Sequence, residues 1–439
     1  MTMRKKIFSI FIALVIVLAA WVPAFAESEV PDVTAKAVLV MDLTTGDILY
    51  EKNADERMYP ASITKILTGI LVIENVSLGA TLTADDEVAV VEPTALRMKT
   101  GEKINAKDAL YCMLVASCND LAELFAKHVS GSVQEFAKLM NQKAEEIGCT
   151  SSHFTNPHGL HDDDHYTTAR DLAKIVSYCM KNDLFREIVK LPEYTITRGQ
   201  GANKPGSVET VRSTNWLLYN TTTTIYVGPD KTTPKYEGCI GIKTGYTEEA
   251  GGCLVAAAER NGTTIVSIVL GSNGASRGTY ERAVDSIKML NWGFENYRTV
   301  SFKKLGEEAG TLKVKGGEFN KVKAVLGSSI AVTLRNGEND SDITTRLELD
   351  ESVKAPVERG TRCGTLDIYV GGELRGSYDI VTASAVKKGG PLSAFGIEDR
   401  DAKKIFLALE VFVALVVLAV LACLAYSKIQ SERRKIRKR

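Results

Sequence analysis

The chain has 439 residues, which is enough for more than one domain, and its 45% apolar and 25% charged residues are typical of folded globular protein. Lysine plus arginine and aspartate plus glutamate each number 54, so the formal net charge is zero. This balance gives no support for a nucleic-acid partner, and only local charge carries information about binding.

The first 26 residues have the three parts of an export signal. Arg4–Lys6 is the basic start, Ile7–Ala20 is the apolar segment, and Ala24–Ala26 fits the small-x-small cleavage rule. Cleavage there would make Glu27 the first residue of an exported protein. An uncleaved amino-terminal membrane helix is the alternative interpretation.

Residues 30–297 carry the signals of an α+β domain. Short apolar runs around a Thr-Thr-Gly-Asp turn predict a β-hairpin near the amino terminus, and three strands with glycine-rich turns precede a closing helix over Arg277–Phe294. Helical periodicity fills the region between them. The predicted strands are Ala35–Met41, Ile48–Lys52, Ile240–Lys243, Cys253–Ala258 and Thr264–Leu270. This order predicts one antiparallel sheet, flanked by helices, whose edges come from both ends of the domain.

The first motif with chemical meaning is Ser62–Lys65 (SITK), at the predicted start of a helix. Residues three apart share one helix face, so Lys65 can reach the Ser62 hydroxyl. Lysine can accept the serine proton only if its pKa falls toward neutrality, which burial and a nearby cation such as Lys243 would favour. The Ser62 backbone N–H would point at a developing oxyanion. Taken alone, the tetrapeptide favours an ordinary helix start.

The second motif, Ser117–Asn119 (SCN), interrupts a segment that is otherwise helical and apolar. Polar residues at such a break are as readily a helix cap as a functional pair. In the functional interpretation, Ser117 relays a proton and Asn119 binds a substrate amide. A thiol, Cys118, lies between them.

The third motif, Lys243–Gly245 (KTG), follows a predicted strand. Lys243 and Thr244 would offer a cation and a hydroxyl to a substrate carboxylate, and Gly245 would allow close backbone approach. A lysine at a strand end is usually solvated, so this motif is also weak alone. The three motifs in this order are the signature of enzymes that attack amides with a lysine-activated serine.

The carboxy-terminal part has a different character. Residues 300–383 show strand-like runs with Gly-Gly and Asn-Gly turns and predict a smaller β-rich domain, and residues 384–404 predict a polar linker. The apolar run 405–427 contains one charge, Glu410, and can cross a hydrocarbon core of ~30 Å at ~1.5 Å per residue. The basic tail 428–439 predicts a cytoplasmic end and an outward-facing remainder.

The eight cysteines and the histidines do not indicate a metal or redox site. Cys423 lies in the apolar run, and the other seven include no C-x-x-C spacing. Buried free thiols are favoured, and a disulfide remains open. His158, His161 and His165 are close in sequence, but no carboxylate or cysteine set completes a ligand pattern, which favours structural loop histidines.

The SITK, SCN and KTG motifs resemble those of the low-molecular-mass penicillin-binding proteins, and specifically the serine-type D-alanyl-D-alanine carboxypeptidases. The same family is indicated by the segments around them, which are Thr155–Leu160 (TNPHGL), His165–Leu172 (HYTTARDL) and Gly241–Thr247 (GIKTGYT). The resemblance is dense over residues 30–297, and residues 300–383 are similar in position and character to that family's carboxy-terminal domain. It implies a β-lactamase/transpeptidase-like domain followed by a small β-rich domain and a transmembrane helix.

The activity that the resemblance implies is removal of the terminal D-alanine from peptidoglycan pentapeptides, in peptidoglycan biosynthesis and cell-shape maintenance. The implied partners are the D-Ala-D-Ala end of the stem peptide, β-lactam antibiotics as covalent inhibitors, and the cell membrane, which a single-pass helix would cross with the catalytic domain outside. It implies no cofactor, no metal and no nucleic acid.

The resemblance also implies roles for individual catalytic residues. Ser62 forms the acyl-enzyme, Lys65 is its general base, and Ser117 relays a proton to the leaving D-alanine. The oxyanion would lie between the backbone N–H groups of Ser62 and Tyr246. Cys118 is a departure at a variable position and puts a thiol near the site.

The implied substrate-binding residues come from the second and third motifs. Asn119 binds the peptide amide, and Lys243 and Thr244 hold the terminal carboxylate. Gly245 and Tyr246 complete this wall of the site.

Three rival interpretations remain. A class A β-lactamase shares the motifs but needs a glutamate for deacylation, usually in E-x-x-x-N, and no glutamate between Ser117 and Lys243 has asparagine four residues on. A membrane-bound antibiotic sensor would normally follow several membrane helices. An endopeptidase that cleaves cross-links is not excluded by the sequence.

Overall fold

The computed structural model describes residues 29–202, 204–273 and 279–436, so the predicted export signal lies outside the described residues. The chain divides into two compact units. One contains residues up to Val300 together with Thr333–Gly337, and the other contains Ser301–Val332 and the residues from Glu338 onward.

The first unit is built on a five-stranded antiparallel sheet. The strands of this unit, which include three two-stranded sheets (β3-β4, β5-β6 and β7-β8), are β1 (Ala37–Asp42), β2 (Ile48–Lys52), β3 (Thr81–Thr83), β4 (Lys103–Asn105), β5 (Glu193–Thr197), β6 (Val208–Arg212), β7 (Ile225–Val227), β8 (Asp230–Thr232), β9 (Cys239–Thr247), β10 (Gly251–Arg260) and β11 (Thr263–Ser272). The sheet order is β2-β1-β11-β10-β9. The prediction that both ends of the domain supply the edges is confirmed.

The helices of this unit lie between the two sets of strands and after them. Within the described residues they are α1 (Lys65–Asn75), α2 (Ala106–Val115), α3 (Asn119–Ser130), α4 (Val133–Ile147), α5 (Ala169–Cys179), α6 (Asp183–Val189) and α7 (Thr279–Asn296). A 3-10 helix, Ala61–Thr64, leads into α1. Thr168 caps α5 by accepting from the Asp171 N–H at 3.0 Å, which satisfies an orphan donor of the first turn.

Strand β1, next to the edge strand β2, is buried on both faces, because helices pack on each side of the sheet. Side chains alternate along a strand, so Leu39 and Met41 join the core formed with α1–α6, whereas Val38 and Val40 join the core formed with α7. All six residues of β1 are buried. Edge strand β9 is thereby held against the helical layer, where the functional site lies.

The second unit is β-rich. Its strands, two of which share residues with the first unit, are β12 (Tyr297–Lys303), β13 (Glu308–Lys315), β14 (Lys321–Leu326), β15 (Ile330–Arg335), β16 (Ile343–Leu349), β17 (Ser352–Lys354), β18 (Arg362–Val370) and β19 (Glu373–Thr382). Six of them form a sheet in the order β16-β18-β19-β14-β13-β17.

The chain ends in a long apolar helix, α8 (Asp399–Ile436), which is long and apolar enough to cross a membrane. Residues 399–404, which the sequence assigns to a linker, form the first turns of this helix instead. The reason is that their charged side chains, on the exposed start of a helix, do not interrupt its backbone hydrogen bonds.

All eight cysteines lie in the described residues and are unpaired.

Candidate active site

The three motifs meet where β9 passes the 3-10 helix that carries Ser62. The closeness of this crossing is set by Gly245: a Cβ atom there would lie 2.8 Å from the Pro60 carbonyl oxygen and 3.1 Å from the Ser62 nitrogen. Side chains other than hydrogen are excluded at such distances. Ser62 is half-buried, and the neighbouring Tyr246 is 38% exposed at the rim of the site.

Lys65 is buried and makes three polar contacts through Nζ. The atom lies 3.0 Å from Ser62 Oγ, 2.6 Å from Asn119 Oδ1 and 2.8 Å from the His158 carbonyl oxygen. The amide and carbonyl oxygens can only accept hydrogen bonds. A neutral amine has two N–H groups for these oxygens, and its lone pair then faces the serine hydroxyl.

Burial lowers the pKa of Lys65 to about 7, while Cys118 and Asp120 act in the opposite direction. Water cannot solvate an ammonium group at this depth, so the neutral form gains at neutral pH. The sequence assigned part of this effect to Lys243. Burial is instead the largest cause, and the repulsion between the two lysines appears in the pKa of Lys243.

Lys243 joins the second motif to the third. Its Nζ lies 2.9 Å from Ser117 Oγ and 3.0 Å from the Thr244 carbonyl oxygen, in a buried position. Burial is the first cause that holds the pKa of Lys243 well below its ordinary value, followed by the positive charges of Lys65 and Arg282. The Lys65–Ser62 pair and the Lys243–Ser117 pair therefore share one buried environment that is rich in cationic side chains.

Backbone conformation around the serines is unusual. Ser117 has φ +65° and Ala61, which precedes the predicted nucleophile, has φ +48°. Residues with side chains adopt this left-handed region at a cost, and such strain is concentrated at functional sites. In this molecule it turns two serine-bearing segments toward the same lysine pair.

Arg282 is a site residue that the motifs do not reveal. It is buried on α7, and its guanidinium donates to the Gly245 carbonyl oxygen at 2.9 Å. Burial lowers the pKa of Arg282 to about 10, so the group keeps its positive charge at neutral pH. It lies 37 residues after Gly245 on another element, and no local pattern distinguishes it from a surface arginine.

The loop that carries His158 and Gly159 closes over the 3-10 helix. Gly159 has φ +83°, and a Cβ atom there would lie 1.8 Å from the Ala61 carbonyl oxygen. His158 Nδ1 accepts from the Leu160 N–H at 3.2 Å, and its Nε2 lies 3.7 Å from Glu123 Oε2. These contacts fix the His158 carbonyl group that faces Lys65, which gives the histidine and Glu123 a positioning role.

The loop histidines are engaged in structural contacts. His165 Nε2 lies 2.8 Å from Thr64 Oγ1, and burial lowers the pKa of His165 to about 3. The pKa of His158 is also lowered, chiefly by burial. In the part of the chain that the structure describes, no group of three or more histidine, cysteine or acidic side chains is arranged to hold a metal ion.

Cys118 and Asp120, the two sequence neighbours of Asn119, are buried next to the site. Cys118 is buried at the start of α3, and burial raises the pKa of its thiol to about 12, so it stays protonated. Asp120 accepts from the Leu96 and Met98 N–H groups at 3.0 and 3.3 Å and so holds a loop against the second motif. No motif in the sequence indicates this role of Asp120.

Two family models and several known proteins match this chain. Residues 24–274 match the D-alanyl-D-alanine carboxypeptidase family (peptidase S11), and residues 297–388 match the carboxy-terminal domain of penicillin-binding protein 5. The chain is 29% identical over 361 residues to D-alanyl-D-alanine carboxypeptidase DacF of Bacillus subtilis, covering 81% of this chain and 87% of that protein.

Two further relatives come from Haemophilus influenzae. D-alanyl-D-alanine carboxypeptidase DacA is 30% identical over 374 residues, covering 82% of this chain and 87% of that protein. The crystal structure of penicillin binding protein 5 aligns with a TM-score of 0.68 at 27% identity, over 82% of this chain and 99% of that one. The fold is therefore transpeptidase-like, with a β-rich domain after it. The chain belongs to the D-alanyl-D-alanine carboxypeptidase family.

Proposed function

We propose that the protein is a membrane-anchored serine-type D-alanyl-D-alanine carboxypeptidase that acts through an acyl-enzyme on Ser62. The observation that carries this proposal is the set of contacts around Lys65 Nζ, which lies 3.0 Å from Ser62 Oγ and 2.6 and 2.8 Å from two oxygens that can only accept hydrogen bonds. When the amine is neutral, these two oxygens take its N–H groups and its lone pair is left for the Ser62 hydroxyl. A lysine held in this way is a general base aimed at one serine.

In the acylation step, Ser62 Oγ attacks the carbonyl carbon of the penultimate D-alanine while Lys65 takes the hydroxyl proton. The oxyanion lies between the backbone N–H groups of Ser62 and Tyr246; support comes from the approach of Gly245 to the Ser62 nitrogen. Ser117 passes a proton to the amine of the leaving D-alanine. The Ser117 contact with Lys243 supports that relay, because the serine can be reprotonated from the lysine. Before deacylation, Lys65 releases the proton taken from Ser62 to solvent and Lys243 takes one up, so both lysines return to their starting states.

Deacylation restores the enzyme. A water molecule attacks the Ser62 ester, Lys65 takes one of its protons, and Ser62 leaves as the hydroxyl while the shortened peptide leaves as a carboxylate. The same residue pair thus serves both halves of the reaction, in agreement with microscopic reversibility. A β-lactam would acylate Ser62 by the first step, with its ring nitrogen as the leaving group.

The substrate's terminal carboxylate is bound by the third motif. Lys243, Thr244 and Arg282 converge on one end of β9, and a negative group there offsets the mutual repulsion of the buried cations. Asn119 presents its Oδ1 to Lys65, so its Nδ2 group is the part that binds a substrate carbonyl. A peptide can lie along the edge of β9 as an added strand.

The remaining parts of the chain give the setting. We assign 1–26 to an export signal, 30–297 to the catalytic domain, 300–383 to the β-rich domain and 405–427 to a single membrane span. The basic tail places its end in the cytoplasm and the catalytic domain outside. This location suits an enzyme of peptidoglycan biosynthesis that contributes to cell shape.

Topology is tested with protease on cells stripped of their wall and a tag after Arg439. External protease is expected to remove the catalytic domain and spare the tag, and high salt is expected to leave the protein in the membrane because the span, rather than the charge of the tail, holds it. Digestion of the tag, or release by salt, would overturn this topology.

The activity is tested by incubating the full chain, in detergent, with a pentapeptide that ends in D-Ala-D-Ala. Free D-alanine is expected from the wild type and not from Ser62→Ala. A cross-linked dimer peptide is included, since its cleavage would identify an endopeptidase. A wild type that forms a stable penicillin adduct but releases no D-alanine would identify a sensor instead.

A further inference from the structure

The β-rich unit exposes two phenylalanines beside the start of α8. Phe395 ends a 3-10 helix, Pro391–Phe395, and is 81% exposed, and Phe319, in the turn between β13 and β14, is 50% exposed. Phenylalanine is among the residues most often buried in folded proteins. Two exposed phenylalanine rings at one end of the unit therefore indicate a surface that contacts another apolar surface.

The turn that carries Phe319 is bonded to the first residues of α8. The Asp399 N–H donates to the Glu318 carbonyl oxygen at 3.2 Å, and the Asn320 N–H donates to Glu398 Oε1 at 3.2 Å. These bonds flank Phe319 on both sides. These hydrogen bonds hold Phe319 level with the start of α8.

The segment that carries Phe395 is tied to the same place. The Gly390 N–H donates to Asp399 Oδ1 at 2.7 Å. Gly389 packs so closely on the turn that a Cβ atom there would lie 2.5 Å from the Gly317 carbonyl oxygen. Most of the segment predicted as a linker is thus fastened to the β-rich unit and holds Phe395 beside α8.

The length of helix between Asp399 and the apolar run of α8 gives the distance of this end of the β-rich unit from the hydrocarbon core. The apolar run begins at Ile405, six residues after Asp399, which is about 9 Å at the rise of an α-helix. The polar headgroup layer on each side of a bilayer is about 5–8 Å thick. Asp399 and the segments bonded to it accordingly lie at the outer margin of the headgroups. Lys387, Lys388 and Lys403 are exposed in the same zone, where lysine side chains can meet phosphate groups.

We propose that this end of the β-rich unit is a membrane-contacting foot, formed by Phe319, Phe395 and the three lysines, whose partner is the phospholipid surface from which α8 emerges. From the outer margin of the headgroups the rings extend into the headgroup layer, toward the acyl chains, as aromatic side chains do at membrane interfaces. The inference rests on the membrane span proposed above. It makes the β-rich unit a body seated on the bilayer rather than one on a free linker.

A matched control lies at the opposite end of the same unit. Leu374 is 56% exposed near the start of β19. Phe319 lies near the opposite end of β19, because it precedes β14, whose Ala324 pairs with Thr382 at the end of β19. Eight residues of strand separate Leu374 from Thr382, which is about 26 Å. Leu374 is thus similarly exposed but far from the proposed foot.

The test measures contact with lipid chains by quenching of tryptophan fluorescence in nanodiscs made with brominated and unbrominated phospholipid. The full chain carries one added tryptophan at a time: Phe395→Trp, Phe319→Trp, Leu374→Trp, and Leu418→Trp within α8. The native signal, from Trp216 and Trp292 and, where the export signal is retained, from Trp21, is subtracted with the unsubstituted protein. If the foot is in contact with the membrane, the tryptophans at 395 and 319 are expected to lose measurable fluorescence, though less than the one at 418, while the tryptophan at 374 loses none.

The four positions separate the two levels of the proposal. If 418 is quenched while 395 and 319 behave like 374, the span stands and the foot is wrong. If 418 is not quenched, the span fails and the foot with it. Because the phenylalanines are exposed, their replacement by tryptophan does not disturb a packed core, and circular dichroism of each variant checks the fold.

Discussion

Lys65 Nζ and Ser62 Oγ are 3.0 Å apart, and the remaining partners of Nζ are two oxygen atoms that can only accept hydrogen bonds. Protonation of Lys65 would put a third N–H in the direction of Ser62 and remove the lone pair that takes its proton. The protonation state of one buried amine therefore decides whether the serine is a nucleophile.

The first prediction concerns pH. Because burial lowers the pKa of Lys65 to about 7, the base is mostly protonated below that pH and mostly neutral above it. The second-order rate of acylation by a labelled penicillin is expected to rise with pH, with a midpoint near 7, and to level off on the alkaline side. A rate that keeps rising toward the ordinary pKa of lysine would contradict the assignment.

The second prediction separates the two buried lysines. Lys65→Arg keeps the charge but offers no base, because guanidinium stays protonated, so acylation is expected to be lost. Lys243→Arg keeps a cation for the substrate carboxylate and is expected to retain measurable acylation, reduced by the larger side chain. Both are measured with the labelled penicillin. Equal losses would count against the division of roles.

The third prediction uses two glycines with nearly equal backbone angles. Gly159 and Gly131 have φ of +83° and +80°, but only the Cβ of alanine at 159 would strike a backbone atom, the Ala61 carbonyl oxygen. Gly131→Ala is expected to cost about 1 kcal/mol of stability and leave acylation unchanged. Gly159→Ala is expected to lose at least tenfold in acylation rate through displacement of the segment before Ser62. Equal effects of the two variants would refute this packing argument.

The fourth prediction concerns Glu123, whose carboxylate lies 3.7 Å from His158 Nε2. Glu123→Ala leaves the buried imidazole without this partner and loosens the carbonyl group that orients Lys65. The acylation rate is expected to fall about tenfold, whereas Glu123→Gln, which keeps an acceptor oxygen, stays within about twofold of the wild type. If alanine and glutamine variants react alike, the positioning role is wrong.

The sequence predicted the strands of the sheet because alternation of apolar residues and glycine turns are local signals. The same holds for the three motifs, whose residues carry their chemistry in short patterns. Arg282 and Glu123 have no such pattern; each reaches the site through helix packing, which a single sequence does not encode locally. One strand end was wrong: the strand predicted as Ile240–Lys243 is β9, Cys239–Thr247, so the third motif lies within a strand rather than after it.

Other differences have the same origin. The first turns of α8 were predicted as a linker because their residues are polar, and polarity alone does not distinguish an exposed helix start from a linker. The pKa of Lys65 was expected to be lowered by burial and by a cation such as Lys243; burial is the largest cause, and Lys243 is not among the causes of this shift.

The most direct test of the proposed mechanism is to identify the residue that becomes acylated. The full chain is incubated with a penicillin, digested, and its peptides are sequenced by mass spectrometry, with Ser62→Ala and Ser117→Ala in parallel. The adduct is expected on Ser62 in the wild type and in Ser117→Ala, where it forms more slowly, and is expected to be absent from Ser62→Ala. An adduct on Ser117, or undiminished labelling of Ser62→Ala, would contradict the central claim.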